Sequence, residues 1–308
     1  MLDPGLIFIQ TLNGLQFGMM LFLFTAGLTL VLGVMNLVNL AHGSFFMIGA
    51  FVAADVSQRS GSFTIGALAG LLASFLIGIA LELTVVRRLY TRNHLDQVLV
   101  TFGLILVFHE SARIVWGSAP LYIAIPPILD GATDLFDGLS YPTYRLFLIA
   151  LGLVVAGGLY FLIAKTKIGM LIRAGSSNRE LVEILGIDVR FLFTFIFGLG
   201  AVLAALGGIA MAPILSVEAS MGDSVLILAL VVIVIGGVGS VRGSFVAAVI
   251  VGMVDTLGRA FLPIMLAGVV SDSVVSNYGP GLVSTLVYLI MVIVLLTKPE
   301  GLFSARKG

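Results

Sequence analysis

The stretch LQFGMMLFLFTAGLTLVLGVM, residues 15–35, decides the class of fold, because it contains no charged residue and could cross a lipid bilayer. A transmembrane helix needs about 20 mostly apolar residues. Similar runs follow, so that 59% of the 308 residues are hydrophobic, only 10% are charged, and the mean hydropathy is +1.18. Soluble domains usually carry about 25% charged residues. The composition therefore excludes a soluble enzyme, a nucleic-acid-binding protein and a disordered chain, and it predicts an integral membrane protein.

Short groups of charged residues separate the apolar runs and set the limits of the predicted spans. The spans are expected at 15–35, 63–86, 98–116, 143–164, 191–213, 245–262 and 282–296, after an amphipathic piece at 6–12. Two further runs, 45–56 and 225–235, are shorter than a bilayer requires, so they are either spans or half-helices packed inside the protein. The sequence thus predicts an all-α transmembrane helix bundle of about eight to ten spans, some of them short or broken, in a single domain.

The distribution of Lys and Arg predicts the orientation in the membrane. The basic loops at 87–92 and 165–190 and the basic tail from Lys298 are expected in the cytoplasm. The loop 117–142 carries acidic residues but no basic ones, and it is expected outside. The side of the N-terminus stays open, because it depends on whether the two short runs cross fully. No basic segment precedes the first apolar run, so we expect that run to remain in the mature protein.

A weak internal repeat links two interruptions of the apolar pattern. HGSF at 42–45 recurs as RGSF at 242–245, and each tetrapeptide follows an interrupted apolar run. Paired interruptions in the two halves of a transporter point to its substrate site, whereas the simpler interpretation is two ordinary small-residue turns. The residues of these breaks that we expect beside a solute path are Asn36, Asn39, His42, Gly43, Ser44, Gly236, Gly237, Gly239 and Ser240.

Ionisable residues inside predicted spans are costly to bury and therefore suggest function. Asp255 and Arg259 stand four residues apart, on one face of a helix. They are expected either to line a solute path or to form an internal ion pair, and the sequence leaves both interpretations open. Glu82 lies close to Arg87 near the end of its span, where an interfacial ion pair is the simpler explanation.

The basic loop at 165–190 contains a signature of a short helix. Ser177 and Glu180 have the spacing of a capping box, and Gly186 is placed to end the helix near Leu185. Such a short helix is not stable alone in water and needs a surface on which to lie. That surface is either a cytoplasmic protein partner or the lipid headgroups.

Several enzyme classes leave no motif in this chain. It contains no phosphate-binding P-loop, no HExxH zinc motif and no nucleophile elbow of the G-x-S-x-G type. It has no cysteine, and its three histidines do not form a ligand pattern. Sixteen basic residues balance sixteen acidic ones, so no nucleic-acid partner is expected. We therefore predict that the chain is not an enzyme, and any ATP that it uses must bind to another chain.

Four blocks of sequence resemble the branched-chain amino acid ABC-transporter permeases of the LivH type. They are GLTLVLGVMNLVNLAHG at 27–43, the loop segment at 173–187, GGVGS at 236–240 and PEGLF at 299–303. Their order and spacing agree with the family over nearly the whole chain. Two positions depart from the family pattern, since Gln is more usual at Glu300 and a small or apolar residue at Arg242.

The resemblance implies a permease domain over residues 1–308 in the bacterial cytoplasmic membrane, with a cytoplasmic coupling loop at 165–190. Its implied partners are a second, homologous permease of the LivM type, two cytoplasmic ATPases and a periplasmic solute-binding protein. ATP and Mg would bind to the ATPases, and this chain would hold no cofactor. The residues implied to dock onto an ATPase are Arg173, Ser177, Asn178, Arg179, Glu180, Leu181, Glu183, Leu185 and Gly186.

The implied mechanism is inward transport by alternating access, in which ATP-driven motion reaches the membrane through residues 176–187 and the solute passes between the two permeases. Relatives handle amino acids, amides, urea and aromatic acids, so the solute is not fixed. A different class of protein also remains possible. An ion- or proton-coupled carrier or channel would work without ATPases, and it would use acidic residues such as Asp255 and Glu110.

Overall fold

The computed structural model describes residues 4–136, 138–177, 184, 186, 188–266 and 272–303. Within these residues the chain forms ten α-helices, one 3-10 helix at Val86–Leu89 and one β-hairpin. The α-helices are α1 Pro4–Met35, α2 His42–Ser60, α3 Phe63–Thr84, α4 His94–Trp116, α5 Thr143–Lys165, α6 Lys167–Ser177, α7 Val189–Met211, α8 Met221–Gly236, α9 Val241–Leu266 and α10 Asp272–Thr297. The predicted all-α bundle is confirmed.

Six of the described helices, α1, α3, α4, α5, α7 and α9, are long and apolar enough to cross a membrane. Helix α8 and the part of α10 from Gly281 to Thr297 are shorter apolar helices. The outer helices expose large apolar side chains, as Leu68, Leu72 and Leu76 of α3 show. Such a surface suits lipid rather than water. The chain is a multi-pass membrane protein, as its composition predicts.

Some predicted boundaries differ from the structure. Residues 6–12 are not a separate amphipathic piece, because α1 runs without a break from Pro4 to Met35. The short run at 45–56 belongs to α2, a helix of 19 residues with polar residues at both ends. The break at GGVGS, residues 236–240, is non-helical only over 237–240, since Gly236 ends α8 and Val241 begins α9.

Helix α1 forms the centre of the bundle. Its most apolar window is 83% buried inside the protein, compared with 22% for the corresponding window of α5. Glycines allow α9 to approach α1 closely: a Cβ atom built at Gly18 would lie only 2.9 Å from the Ala248 carbonyl oxygen. Small residues at such crossings replace side-chain packing by backbone contact.

The chain between α1 and α2 is non-helical although it lies inside the protein. Asn36, the first residue after α1, has a left-handed φ of 51°. The Val38 amide donates a 3.2 Å hydrogen bond to Oε1 of Gln97, and the Leu40 amide donates one of 3.2 Å to the Thr101 hydroxyl. Non-helical backbone at membrane depth is tolerated when protein groups satisfy its hydrogen bonds. Helix α4 provides these groups here.

Helices α2 and α8 both begin inside the bundle. The His42 ring lies edge-on to Phe24, halfway along α1, with ring centroids 5.1 Å apart. The backbone of Gly43 contacts that of Gly222, and a Cβ atom at Gly43 would lie 2.8 Å from the Gly222 carbonyl oxygen. The sequence repeat pairs the start of α2 with the start of α9, and both tetrapeptides do begin helices. In space, however, α2 meets the start of α8.

The two ends of the bundle differ. One end carries the antiparallel hairpin of β1, Ala132–Phe136, and β2, Leu139–Pro142, and we call it the hairpin end. The other end carries the 3-10 helix and the C-terminal segment 298–303, and we call it the tail end. At the tail end, the amide of Leu302 donates a 2.8 Å hydrogen bond to the carbonyl of Ile235, which fixes the chain after α10 against the end of α8.

Candidate functional site: a groove along α1

A groove runs along α1 between α5 and α9. Both helices pack on α1, but they make few contacts with each other, so the groove has walls on two sides and α1 as its floor. Two cavities lie in this groove, one towards the tail end and one towards the hairpin end. Each is lined by residues of all three helices, which makes the groove the best candidate for a solute path.

The tail-end cavity has a volume of about 1530 Å³. Thr29 and Gly33 of α1, Tyr160 of α5 and Phe245 of α9 are among its lining residues. The guanidinium of Arg242 lies over the Tyr160 ring, 5.0 Å from its centroid, and this contact joins the two walls of the groove. Both positions at which the sequence departs from the family pattern, Arg242 and Glu300, therefore line this cavity.

Some of the predicted path residues in the two breaks line the tail-end cavity and others do not. Asn36, Gly239 and Ser240 line the tail-end cavity, and their role in a solute path stays a prediction. Gly236 and Gly237 do not line it. A Cβ atom at Gly237 would lie 2.9 Å from the Glu300 carbonyl oxygen, so this glycine is packed against the C-terminal segment behind the wall.

A second group lies at the buried start of α2 and lines neither cavity. Asn39, His42 and Ser44 are each at most 3% exposed. Among the described residues, the Asn39 amide group, Nε2 of His42 and the Ser44 hydroxyl have no hydrogen-bond partner. Gly43 is packed against Gly222. The assignment of these residues to the solute path stays a prediction.

The hairpin-end cavity has a volume of about 390 Å³ and is lined by Asp255 and Arg259. Nη2 and Nε of Arg259 donate hydrogen bonds of 2.8 and 2.9 Å to the two carboxylate oxygens of Asp255. The side chain of Asp255 is 10% exposed and that of Arg259 is 50% exposed. The two residues thus form an ion pair within α9 and also line this cavity, and their place beside a solute path stays a prediction.

Sequence reasoning missed the other polar groups of this cavity. Arg145 donates a 2.6 Å hydrogen bond from Nη1 to Oδ1 of Asn13, and the Tyr141 hydroxyl donates one of 2.9 Å to the same oxygen. Burial raises the pKa of Tyr141, so the hydroxyl stays protonated and acts as a donor. Gln10 and Gln16 complete the polar lining. Their spacing along α1, at three-residue intervals with Asn13, is the signal that could have revealed a polar face.

A thin septum separates the two cavities. Phe17 lines the hairpin-end cavity and Phe22 the tail-end cavity, which corresponds to about 8 Å along the axis of α1 at 1.5 Å per residue. Between them, Met19 closes the gap towards α5, where a Cβ atom at Gly152 would lie 2.6 Å from that of Met19. Gly18 closes the gap towards α9. The groove is therefore blocked over less than two helical turns.

The predicted coupling loop is described only in part. Asn178, Arg179, Glu180, Leu181, Glu183 and Leu185 lie outside the described residues. Ser177 is the last residue of α6, and the rest of its predicted capping box, including Glu180, lies outside the described residues, so this cap stays a prediction. Arg173 donates a hydrogen bond to the Ile163 carbonyl and lines the tail-end cavity. Gly186 has a left-handed φ of 79°, which suits the predicted end of a helix.

Glu82, near the end of α3, is a buried carboxylate. It contacts the start of α7, where the chain re-enters the bundle after this loop. Glu82 accepts hydrogen bonds from Arg87, from the Tyr90 hydroxyl at 2.6 Å and from the Thr194 hydroxyl at 2.7 Å. The predicted ion pair with Arg87 is confirmed, with the closest atoms 3.1 Å apart. In contrast to an interfacial pair, however, Glu82 itself is fully buried.

Comparisons with known proteins agree with this architecture. A family described as "Branched-chain amino acid transport system / permease component" matches residues 10–296. The chain is 24% identical to the high-affinity branched-chain amino acid transport system permease protein BraD of Pseudomonas aeruginosa, over 95% of this chain and 94% of that protein. It is 24% identical to LivH of Escherichia coli K12, over 98% and 97% of the two chains. No solved structure matches significantly.

Proposed function

Because the chain belongs to the branched-chain amino acid transport permease family, we propose that it is the permease subunit of an ATP-binding-cassette importer. It would move a branched-chain amino acid or a related small organic solute inward across the bacterial cytoplasmic membrane. One observation carries this proposal: two cavities occupy opposite ends of one groove and are separated by a thin septum. Alternating access requires a site that opens to one side of the membrane at a time, and a short septum makes this possible.

The basic residues give the orientation of this importer. Arg87, Lys165 and Lys298 lie at the tail end, which is placed in the cytoplasm by the positive-inside rule. The C-terminus is then cytoplasmic. The wide tail-end cavity corresponds to the inward-facing state, and the smaller hairpin-end cavity faces the outside, where a periplasmic solute-binding protein would deliver its solute.

A second, homologous permease would close the open side of the groove. The walls α5 and α9 make few contacts with each other, and α5 exposes the large apolar side chains of Val154 and Phe161. A partner helix seated over the groove would complete both cavities. The solute would then pass between the two permease chains.

Two cytoplasmic ATPases would drive the cycle, with ATP and Mg bound to them and none to this chain. Residues 176–187 would transmit their motion to the membrane. The described residues support this role through Glu82, because its bond to Thr194 ties the first turns of α7, directly after the loop, to α3. A displacement of the loop would thus act on two helices together.

The alternative, an ion- or proton-coupled carrier working alone, loses support at its candidate sites. Asp255 is held bidentately by Arg259, and Glu110 is paired with Arg113 at 2.8 Å on an exposed surface. Each of these carboxylates is therefore already engaged in an ion pair with an arginine of its own helix.

The test is to co-express this chain with the genes that neighbour it, purify the complex and reconstitute it in liposomes. We expect a second permease and two ATPase chains to co-purify. Uptake of radiolabelled L-leucine should require the binding protein outside and ATP at the ATPases. Uptake by the chain alone, driven by a proton gradient without ATP, would overturn the proposal.

A further inference from the structure

We propose that the hairpin-end cavity binds the zwitterionic end of an α-amino acid, with Arg145 holding the carboxylate and Asp255 holding the ammonium group. This inference rests on the proposed function, because it assigns a solute class to the outer end of the groove. The assignment comes from the charges and hydrogen bonds that line the cavity.

Arg145 is the first reason for this assignment. Its described hydrogen bond goes to the neutral side chain of Asn13, and it forms no ion pair with any residue in the part of the chain that the structure describes. A guanidinium carries five N–H donors and stays charged at any physiological pH. A half-buried cation without an anionic partner in a membrane protein is costly, unless an anion visits it. A carboxylate matches the planar guanidinium geometrically.

The charge of the whole cavity gives the second reason. Arg145 and Arg259 contribute two positive charges and Asp255 one negative charge, which leaves a net positive charge of one. The neutral amides of Gln10 and Asn13 do not change this balance. This positive charge attracts the carboxylate of an amino acid, while the zwitterion as a whole leaves the net charge of the cavity unchanged.

Asp255 provides the site for the ammonium group. Each of its oxygens accepts one hydrogen bond from Arg259, while an ionised carboxylate has about four acceptor positions. The remaining positions can accept bonds from an ammonium group. Because Arg145 and Asp255 line the same cavity from α5 and α9, the two charges of one zwitterion can be bound across the groove.

The size and the apolar part of the cavity agree with a small solute. Its volume of about 390 Å³ is at the lower end of the range of about 300–1,000 Å³ found for small-molecule sites. Phe17 and Ala260 form an apolar part of the lining. They could contact an aliphatic side chain while the charged end lies at Arg145.

The absence of cysteine from the sequence allows a direct binding test. Thr256 lines the cavity, so T256C introduces a single thiol of this chain at the site. The probe is the rate of maleimide labelling of this chain in the purified complex, without the binding protein. We expect L-leucine at millimolar concentration to slow labelling about fivefold, as a ligand present at about four times its Kd would. Leucinamide, without the carboxylate, and 4-methylpentanoate, without the ammonium group, should protect less than twofold.

A second variant separates binding from structural damage. R145Q in the T256C background should abolish protection by L-leucine, whereas R113Q should preserve it, because Arg113 lies at the surface in a pair with Glu110. Equal protection by all three compounds, or full protection in R145Q, would overturn the inference. ATP-driven uptake without any protection would reject this site alone, whereas failure of ATP-driven uptake in the unmodified complex would reject the proposed function.

Discussion

Glu82 and Thr194 join α3 to α7 through a hydrogen bond of 2.7 Å, which the Thr194 hydroxyl donates to a carboxylate without solvent exposure. Arg87 also binds this carboxylate, and its hydrogen bonds to Glu82 are the main reason why the pKa of Arg87 is raised. A buried charge with so many partners is stable only while they remain in place.

The first prediction follows from this arrangement. E82A should lower the free energy of unfolding by about 1–3 kcal/mol, because the hydroxyls of Tyr90 and Thr194 and the guanidinium of Arg87 lose their shared acceptor. Thermal unfolding in mild detergent measures the effect. D55A is the matched control: Asp55 forms an exposed pair with Arg59, whose removal should cost less than about 1 kcal/mol. Equal losses in the two variants would show that Glu82 has no special structural role.

The second prediction concerns the non-helical segment before α2. T101V should lower the free energy of unfolding by about 1 kcal/mol, since the half-buried amide of Leu40 loses its hydrogen-bond acceptor. T101S keeps the hydroxyl and should recover most of this loss. The same thermal assay compares the two variants, and a serine variant as unstable as the valine variant would contradict the hydrogen-bond explanation.

The third prediction tests the septum. In G152V even the Cβ atom would lie only 2.6 Å from that of Met19, so α5 has to move away from α1. We expect uptake to fall at least tenfold, together with a loss of about 1–3 kcal/mol in stability. G157V, on the same helix, meets no atom within 4 Å and should transport normally. Normal uptake in G152V would show that this contact does not control the path.

The fourth prediction concerns the coupling loop. If residues 176–187 dock onto an ATPase, L181D should leave ATP hydrolysis measurable but separate it from uptake, because a carboxylate cannot be buried in an apolar groove without a large cost. Uptake and ATPase activity are measured on the same proteoliposomes. L181M, which keeps an apolar side chain, should retain coupling. Wild-type uptake in L181D would remove this segment from the coupling path.

The bundle itself could be predicted from the sequence, because long apolar runs without charges have few alternatives to membrane helices. The limits of α1 could not. Residues 6–12 carry polar side chains that suggested a separate piece, whereas the helix in fact continues so that Gln10 and Asn13 line a cavity. Local pattern does not show what a polar helical face will contact.

The candidate site depends on contacts between distant residues. Asn13 and Arg145 are 132 positions apart, and Gly43 meets a glycine on α8. Asp255 and Arg259 could be predicted because they are close in sequence, on one turn of a helix. Arg145 could not, since a cation at the start of a span is normally explained by the membrane interface.

The segment between α1 and α2 has a consequence for biogenesis. Its amides at Val38 and Leu40 bind side chains that lie 59 and 61 positions further along the chain, on α4. A ribosome completes α1 and α2 long before Gln97 and Thr101 have been synthesised. The first two helices therefore cannot reach their final arrangement in the order of their translation. This non-helical segment has to remain hydrated or shielded by the insertion machinery until the fourth helix enters the bilayer.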